Sequence, residues 1–401
     1  MSIEKRKYFP DQTLDAFSKD GNDRFDLADC IGRVASSTKV YKLNGEDLTW
    51  WVKENDGAED VIRACHADSR HGRIIKLNPL RANGPVSEWS PEMWDEAVTL
   101  SGVFVSFKIN GKQKLLSVTS NIGDDFPTFE ISGAVVRKVS HNLYSLLAEQ
   151  TEGKEVTLIT RSIPGPSADI EKVISLRSGG YAYIPQDEAL ALASDVCSDG
   201  DIEYWHVDNF LTEAVYAFPQ NAASLKYGRK KGDFIPYIRY FASDAGKSSC
   251  AFELGWNVNA CNRIFLASGS RRVLKEHRGV WDATKATELR DDALGLKDKF
   301  VILQERMAEL EKTTVLNQNI ERTVKHLCTD TKLQNKKITA ALVEYAVTEF
   351  AGTDCSAAEL ILTLIEAQNE VPMLKDLSDA QRNKLAHYMG EMVYTRIRQH
   401  A

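Results

Sequence analysis

The pair Asn110-Gly111 constrains the fold of this chain more than any other short segment, because it stands between two strand-like runs. Residues 103–109 are rich in β-branched and aromatic side chains, which favour strands, and residues 112–118 form the returning run. Asn-Gly is a preferred pair for a two-residue hairpin turn, where both positions need positive φ. The sequence therefore predicts an antiparallel hairpin here, within a sheet.

Further strand-like segments are spread over the first 280 residues. They cover residues 36–44, 128–139, 155–163, 201–207 and 214–218, and the pair 234–241 and 249–258 around the turn Ser243-Asp244-Ala245-Gly246. Gly255, inside the last run, indicates a bulge or a close backbone approach. Candidate helices cover residues 58–67, 140–150 and 186–194. Strands joined as hairpins favour antiparallel sheet, so this part is predicted to be mixed α+β.

The pattern becomes helical after Trp281. Apolar residues then recur at alternating spacings of four and three, which is typical of a helix with one apolar face. The stripe consists of Leu289, Ala293, Leu296, Phe300, Leu303, Met307 and Leu310. Ser356 and the capping box beginning at Ser378 indicate two later helix starts. We therefore predict the α+β class: an antiparallel hairpin-rich sheet unit followed by a C-terminal helical domain.

The predicted domains are an N-terminal arm at 1–35, an α+β domain at 36–282 and a helical domain at 284–401. Residues 1–35 are polar with weak apolar periodicity, which is typical of an extended arm or a short helix over the surface. Pro164-Gly165-Pro166 and Gly179-Gly180 mark a candidate break near 164–180. The stripe from Leu289 to Leu310 is either a core face or a seam between copies, so a homo-oligomer stays among the predicted partners.

Composition limits the class of protein. The chain has 401 residues and net charge −7, and it contains no apolar run of the ~20 residues needed to span a bilayer. The first residues lack the apolar region of a secretory signal. Seven scattered cysteines without a CxxC pair indicate a reduced, cytoplasmic protein. Cys65-His66 with His71 lacks the paired spacing of a zinc site, so no metal or cofactor is predicted.

Charge gives the main functional hypothesis. Between Asn221 and Gly279 there are eleven Lys or Arg against four Asp or Glu, a local excess of seven positive charges in a chain of net −7. A basic segment interleaved with aromatic residues is typical of proteins that bind single-stranded nucleic acid. The predicted phosphate contacts are Arg229, Lys230, Lys231, Arg239, Lys247, Arg271 and Arg272, with Trp256 or Tyr240 stacking on bases. We expect DNA binding in replication or recombination, without catalysis.

Two other functions stay open. The segment Asp201–Asp208, with Glu203 and His206, carries acids and a histidine that could form part of a metal-dependent nuclease site. A scaffold or host-interaction protein also fits an acidic chain with a helical domain. The piece Gly246-Lys247-Ser248 looks like the end of a phosphate-binding loop, but Phe241 stands at the first Gly position and a strand follows, so a hairpin turn is the better interpretation.

The central segment also resembles a known family. Its pattern is Ser243-Asp244-x-Gly246-x-Ser248-Ser249, then Gly255, Cys261-Asn262, Ser268 and His277-x-Gly279. This pattern is similar to that of uncharacterised proteins carried by phages and plasmids, although Arg263 stands where the family has Gly. The resemblance covers about a quarter of the chain or less. It implies a mobile-element origin and hence the host-cell cytoplasm, and it assigns no reaction or catalytic residue.

Overall fold

The computed structural model describes residues 18–56, 59–65, 73–76, 103–118, 151–163, 170–208, 210–227, 230–246, 248–258, 263–266, 272–333, 335–377 and 379–394. These residues form two largely antiparallel sheets followed by helices, which confirms the predicted α+β class. Within these ranges, no helix combines the length and apolarity that a membrane span requires. The segments 128–139 and 140–150, predicted as a strand and a helix, lie outside them. The helix predicted over 58–67 is wrong, because residues 59–65 form a strand.

Up to Asp208 the described elements are mainly strands, with two α-helices among them. In chain order they are β1 (Ser18–Gly21), α1 (Arg24–Ser37), β2 (Thr38–Asn44), β3 (Thr49–Asp56), β4 (Glu59–Cys65), β5 (Arg73–Lys76), β6 (Val103–Ile109), β7 (Lys112–Val118), β8 (Glu155–Ile163), β9 (Ile170–Ser178), α2 (Gln186–Val196) and β10 (Asp201–Asp208).

The remaining elements change from strands to helices at Ala283. They are β11 (Thr212–Ala217), β12 (Ala223–Tyr227), β13 (Lys230–Ala242), β14 (Cys250–Val258), β15 (Arg263–Leu266), β16 (Arg272–Lys275), α3 (Ala283–Lys312), β17 (Thr314–Val315), α4 (Ile320–Asp330), α5 (Lys336–Glu349), β18 (Cys355–Ser356), α6 (Ala357–Glu370), α7 (Pro372–Lys375) and α8 (Asp379–Tyr394).

Sheet I has the strand order β2-β8-β9-β7-β6-β3-β4-β5. Asn110 and Gly111 have φ of 51° and 76°, and β6 pairs with β7 in register across them, so the predicted hairpin is confirmed. β7 and β9 pair in parallel, in contrast to the other described pairs of this sheet. Since β9 pairs with β8 along its whole length, the chain continues the same sheet over 170–178, where a break was a candidate.

Sheet II contains the basic segment. Its order is β1-β10-β11-β13-β14-β15, with β12 also pairing with β13 and β16 with β14. The hairpin of β13 and β14 is confirmed. A Cβ at Gly255 would lie 2.2 Å from Cζ of Tyr237, and the register is unbroken there, so this glycine permits a close approach and not a bulge.

The N-terminal segment differs from the predicted surface arm over residues 18–35. α1 begins at Arg24 and is capped by Asp23, whose side chain accepts hydrogen bonds from two backbone amides of the first turn. Its apolar residues Leu27, Cys30, Ile31 and Val34 are each 1% exposed and belong to the main core. They follow the i, i+3, i+4, i+7 spacing of an amphipathic helix, a signal that the surrounding polar residues obscured.

The helices after Ala283 share that main core. Of the stripe on α3, six residues (Leu289, Ala293, Leu296, Phe300, Met307 and Leu310) are at most 4% exposed and pack in one cluster with α1, α2 and sheet II. The interpretation of the stripe as a seam between copies is therefore wrong, because it faces the chain's own core. One short strand pair, β17 with β18, lies among the helices and was not predicted.

Candidate nucleic-acid interface

The most basic part of sheet II is the β12–β13 hairpin. Lys226 lies opposite Lys231, and Tyr227 lies opposite Lys230. Over residues 230–233, β13 pairs with β12, and β14 joins β13 only from Phe234, opposite Val258. We call residues 223–227 and 230–233 the basic ribbon. Arg229, a predicted phosphate contact, lies between its strands and outside the described residues.

Arg239 does not join the basic ribbon. It is nine residues along β13 from Lys230, or about 30 Å at the rise of a strand. Its Nε donates to Oε1 of Glu213 at 2.8 Å, its Nη1 lies 3.9 Å from Oε2 of Glu253, and its guanidinium packs on Phe241. Two carboxylates already compensate this charge, so the structure gives no support to the predicted phosphate contact at Arg239.

Arg272 is separated from the basic ribbon as well. It lies in β16 directly opposite Glu253, at the same level of the sheet as Arg239. Lys247 and Arg271 fall outside the described residues. Of the seven predicted phosphate contacts, therefore, Lys230 and Lys231 lie on the basic ribbon, while Arg239 and Arg272 lie near the middle of the sheet.

The predicted stacking residues are buried. Trp256 is 1% exposed and meets Phe234 edge-on, and Tyr240 is fully buried against Phe252. Both lie on the face of sheet II that packs on the helices, within the main core. Neither ring can therefore stack on a base, and both predictions are wrong.

The turn between β13 and β14 is a buried joint between the two sheets. Asp244 is fully buried and its Oδ2 accepts from Nη2 of Arg161, in β8, at 2.5 Å. Its Oδ1 accepts from Nε2 of Gln186 at 3.0 Å. The carbonyl oxygen of Ala245 accepts from Nε of Arg177 at 3.0 Å and from Oγ of Ser175 at 2.8 Å, both in β9. The turn thus holds sheet II to sheet I.

The same joint includes His277, from the pattern that resembles the phage and plasmid proteins. Its Nδ1 lies 2.8 Å from the carbonyl oxygen of Ala182 and its Nε2 lies 3.0 Å from that of Ser248. Its ring stacks on Tyr181, with centroids 4.7 Å apart. Burial lowers the pKa of His277. The pattern residues Asp244, Gly246 and His277 therefore meet at an inter-sheet joint, since Gly246 approaches Arg177 and Tyr181.

The acid and histidine segment of β10 forms hydrogen bonds at the edge of sheet II. Nδ1 of His206 lies 2.7 Å from Oδ1 of Asp20, in β1, and its Nε2 lies 3.5 Å from Oδ2 of Asp208. Oδ1 of Asp208 accepts from the amides of Phe210 and Leu211. The carboxylates of Asp208 and Asp20 raise the pKa of His206 to about 9. Asp20 was missed because it falls in the predicted arm.

Among the described residues, this segment is not joined by the further ligands that the metal site of a nuclease would need. Asp201 and Glu203 are exposed; Glu203 lies at the register shift between Ile202 and Tyr204, and Asp201 lies beyond it. In the part of the chain that the structure describes, no group of three or more His, Cys, Asp or Glu is placed to hold a metal ion. His66 and His71 lie outside that part.

Comparison of the chain with family models, with curated proteins and with solved structures gave no match.

Proposed function

We propose that this chain is a nucleic-acid-binding protein without chemistry of its own, and that the basic ribbon supplies its main phosphate contacts. The pairing of Lys226 with Lys231 carries the proposal. Like charges directly opposite each other destabilise an antiparallel pair, and a phosphate backbone bound beside them would offset that repulsion. The resemblance to phage and plasmid proteins supports a role in the host-cell cytoplasm.

The charge environment of the basic ribbon supports the same proposal. Two other arginines of the sheets are paired with carboxylates, Arg161 with Asp244 and Arg239 with Glu213. From Ala222 to Asp233 the sequence holds four Lys or Arg and one acid, Asp233, which lies opposite Ser224. A local excess of positive charge in an acidic chain attracts phosphates to this hairpin and repels them elsewhere.

Replacing Lys226, Lys230 and Lys231 together with Ala should weaken binding to a labelled oligonucleotide and make it less sensitive to salt. Each lost phosphate contact should reduce the slope of log K against log salt by about 0.7–0.9. Fluorescence anisotropy from 50 to 200 mM salt measures both effects. The matched control replaces Lys312, Lys336 and Lys337, which are exposed on α3 and α5, and should bind like the unchanged protein. No binding at 50 mM salt by the unchanged protein would refute the proposal.

A further inference from the structure

We propose that His206 is a proton-dependent clasp, which holds the first strand, β1, at the edge of sheet II and releases it when the ring is deprotonated. β1 has four residues, and β10 is the one described strand that pairs with it. Strands usually contain about five or six residues. A shorter strand at a sheet edge has few backbone hydrogen bonds, so side-chain contacts should decide whether it stays in place.

The ring of His206 lies between two carboxylates, one on each of the paired strands. Its Nδ1 lies 2.7 Å from Oδ1 of Asp20, on β1, and its Nε2 lies 3.5 Å from Oδ2 of Asp208, on β10. A neutral imidazole has one N–H, so it can donate to one carboxylate while it turns a lone pair toward the other. The imidazolium can donate to both. The geometry therefore fits the charged ring, and loss of the proton leaves one carboxylate facing a lone pair.

The other ionisable groups beside the clasp are already paired. Glu213, on β11, lies directly opposite His206 and accepts from Nε of Arg239 at 2.8 Å. The hydroxyl of Tyr204 donates to Oδ1 of Asp20 at 3.0 Å. Burial and this hydrogen bond raise the pKa of Tyr204, so its hydroxyl still donates when the ring titrates. The charge of the ring is therefore what changes between β1 and β10.

The direction of the pH effect follows from the contacts of His206. The hydrogen bond to Asp208, the largest cause, and the one to Asp20 raise the pKa of His206 to about 9, while burial opposes them. Release of β1 removes Asp20 and leaves Asp208, so the pKa of the ring falls part of the way toward its ordinary value of about 6.5. By linkage, the clasp contributes fully below the pKa of the released state and is lost as the pH rises through about 9. β1 should therefore be held at neutral pH and released in alkaline solution.

Release of β1 would uncover the residue beside the clasp and the edge of β10. Trp205 is 2% exposed, and its Nε1 donates to the carbonyl oxygen of Asp23 at 2.9 Å. A Cβ at Gly21 would lie 2.5 Å from Cζ2 of this ring, so β1 packs closely on it. An uncovered strand edge is a template for pairing with another strand. The clasp thus controls whether β10 is open to such pairing.

The test is trypsin cleavage after Lys19, an exposed residue of β1, mapped by mass spectrometry. Proteolysis of a segment that opens and closes quickly follows the population of its open form. At pH 9.5 the unchanged protein should be cut there several-fold faster than the His206→Lys variant, whose side chain stays charged at that pH. At pH 7 both should be cut slowly. Comparing proteins at the same pH cancels the pH dependence of trypsin. His206→Gln, which is neutral at both pH values, should be cut fast at both.

Two further measurements decide between the clasp and a merely structural histidine. The Cε1–H signal of His206 in an NMR titration should move with a midpoint near pH 9, and a midpoint near 6.5 would overturn the proposal. Titration near 9 without faster cleavage after Lys19 would also overturn it, because the ring would then not control the strand. Cleavage after Arg33, on α1, is the control: it should stay slow at pH 9.5, and an equal rise at both sites would mean general unfolding and no separate release of β1.

Discussion

At the scale of single residues, the Arg161–Asp244 pair differs from the ion pairs on the surface. Its two side chains are 2% and 0% exposed, whereas those of Arg33 and Asp29 on α1 are 64% and 61% exposed. A buried charge that loses its partner keeps the cost of desolvation without the compensating attraction, while an exposed one is rehydrated. The same kind of contact is therefore expected to have very different effects on stability in these two places.

Replacing Arg161 with Met should lower the free energy of unfolding by about 3–5 kcal/mol, because Asp244 is left buried without its cation. Replacing Arg33 with Met is the control and should change it by less than about 1 kcal/mol. Urea unfolding followed by circular dichroism measures both. Equal effects of the two substitutions would contradict the role given to the joint between the sheets.

The sequence-based predictions for Tyr240 and Arg239 also concern single residues. Phe234, Ile238 and Tyr240 alternate along β13 onto the core face, so the strand period already places Tyr240 inside once the helices are known to cover that face. Arg239, on the opposite face, could not be recognised as compensated, because Glu213 and Glu253 reach it from two neighbouring strands. Strand pairing between distant segments is not determined by local patterns.

At the scale of elements, the turns and helix starts predicted from short sequence motifs agree with the structure. The Asn110-Gly111 turn, the hairpin at Ser243 and the helix start at Ser356 follow from backbone and capping preferences within a few residues, and all three occur in the structure. α4 ends in a comparably local motif: the amide of Leu333 bonds to the carbonyl of Cys328, and Lys332 has φ of 61°. This is a Schellman cap, and Gly is the usual residue at the position that Lys332 occupies.

Replacing Lys332 with Gly should raise the free energy of unfolding by about 0.5–1 kcal/mol, because Gly adopts positive φ without steric cost. The control introduces the same residue where φ is helical: Ala308→Gly, at an exposed site within α3, should lower it by about 1 kcal/mol. Thermal unfolding of the two variants should therefore shift in opposite directions. A destabilised Lys332→Gly protein would contradict the cap.

At the scale of the whole molecule, the predicted boundary at residue 283 separates strands from helices but does not separate two cores. One cluster joins α1, α2, sheet II and the helices from α3 to α8, while sheet I has a core of its own around Trp50, Phe107 and Leu158. The main core therefore crosses the boundary, and a substitution on α3 should also lower the local stability of α1.

Replacing Leu296, which is fully buried on α3, with Ala should cost about 2–5 kcal/mol and speed amide exchange in α1 and β10 as well as in α3. Exchange in β6 and β7 of sheet I should change less. The control is Val301→Ala on the same helix, where the side chain is 54% exposed and exchange should be unaffected. Mass spectrometry of exchanged peptides distinguishes faster exchange in α1 and β10 from an effect confined to the helices after Ala283.

The pairing of β1 with β10 has a consequence for the synthesis of the chain. Asp20 and His206, which join these strands, are 186 residues apart. At about 5–20 residues per second, a ribosome needs roughly 10–40 s to add that length. During this time the apolar stripe of α1 has left the ribosome without the α2 and sheet II surfaces it will cover. α1 is thus buried only after α2 and the strands of sheet II have been made, and this nascent segment is where we expect chaperones to act.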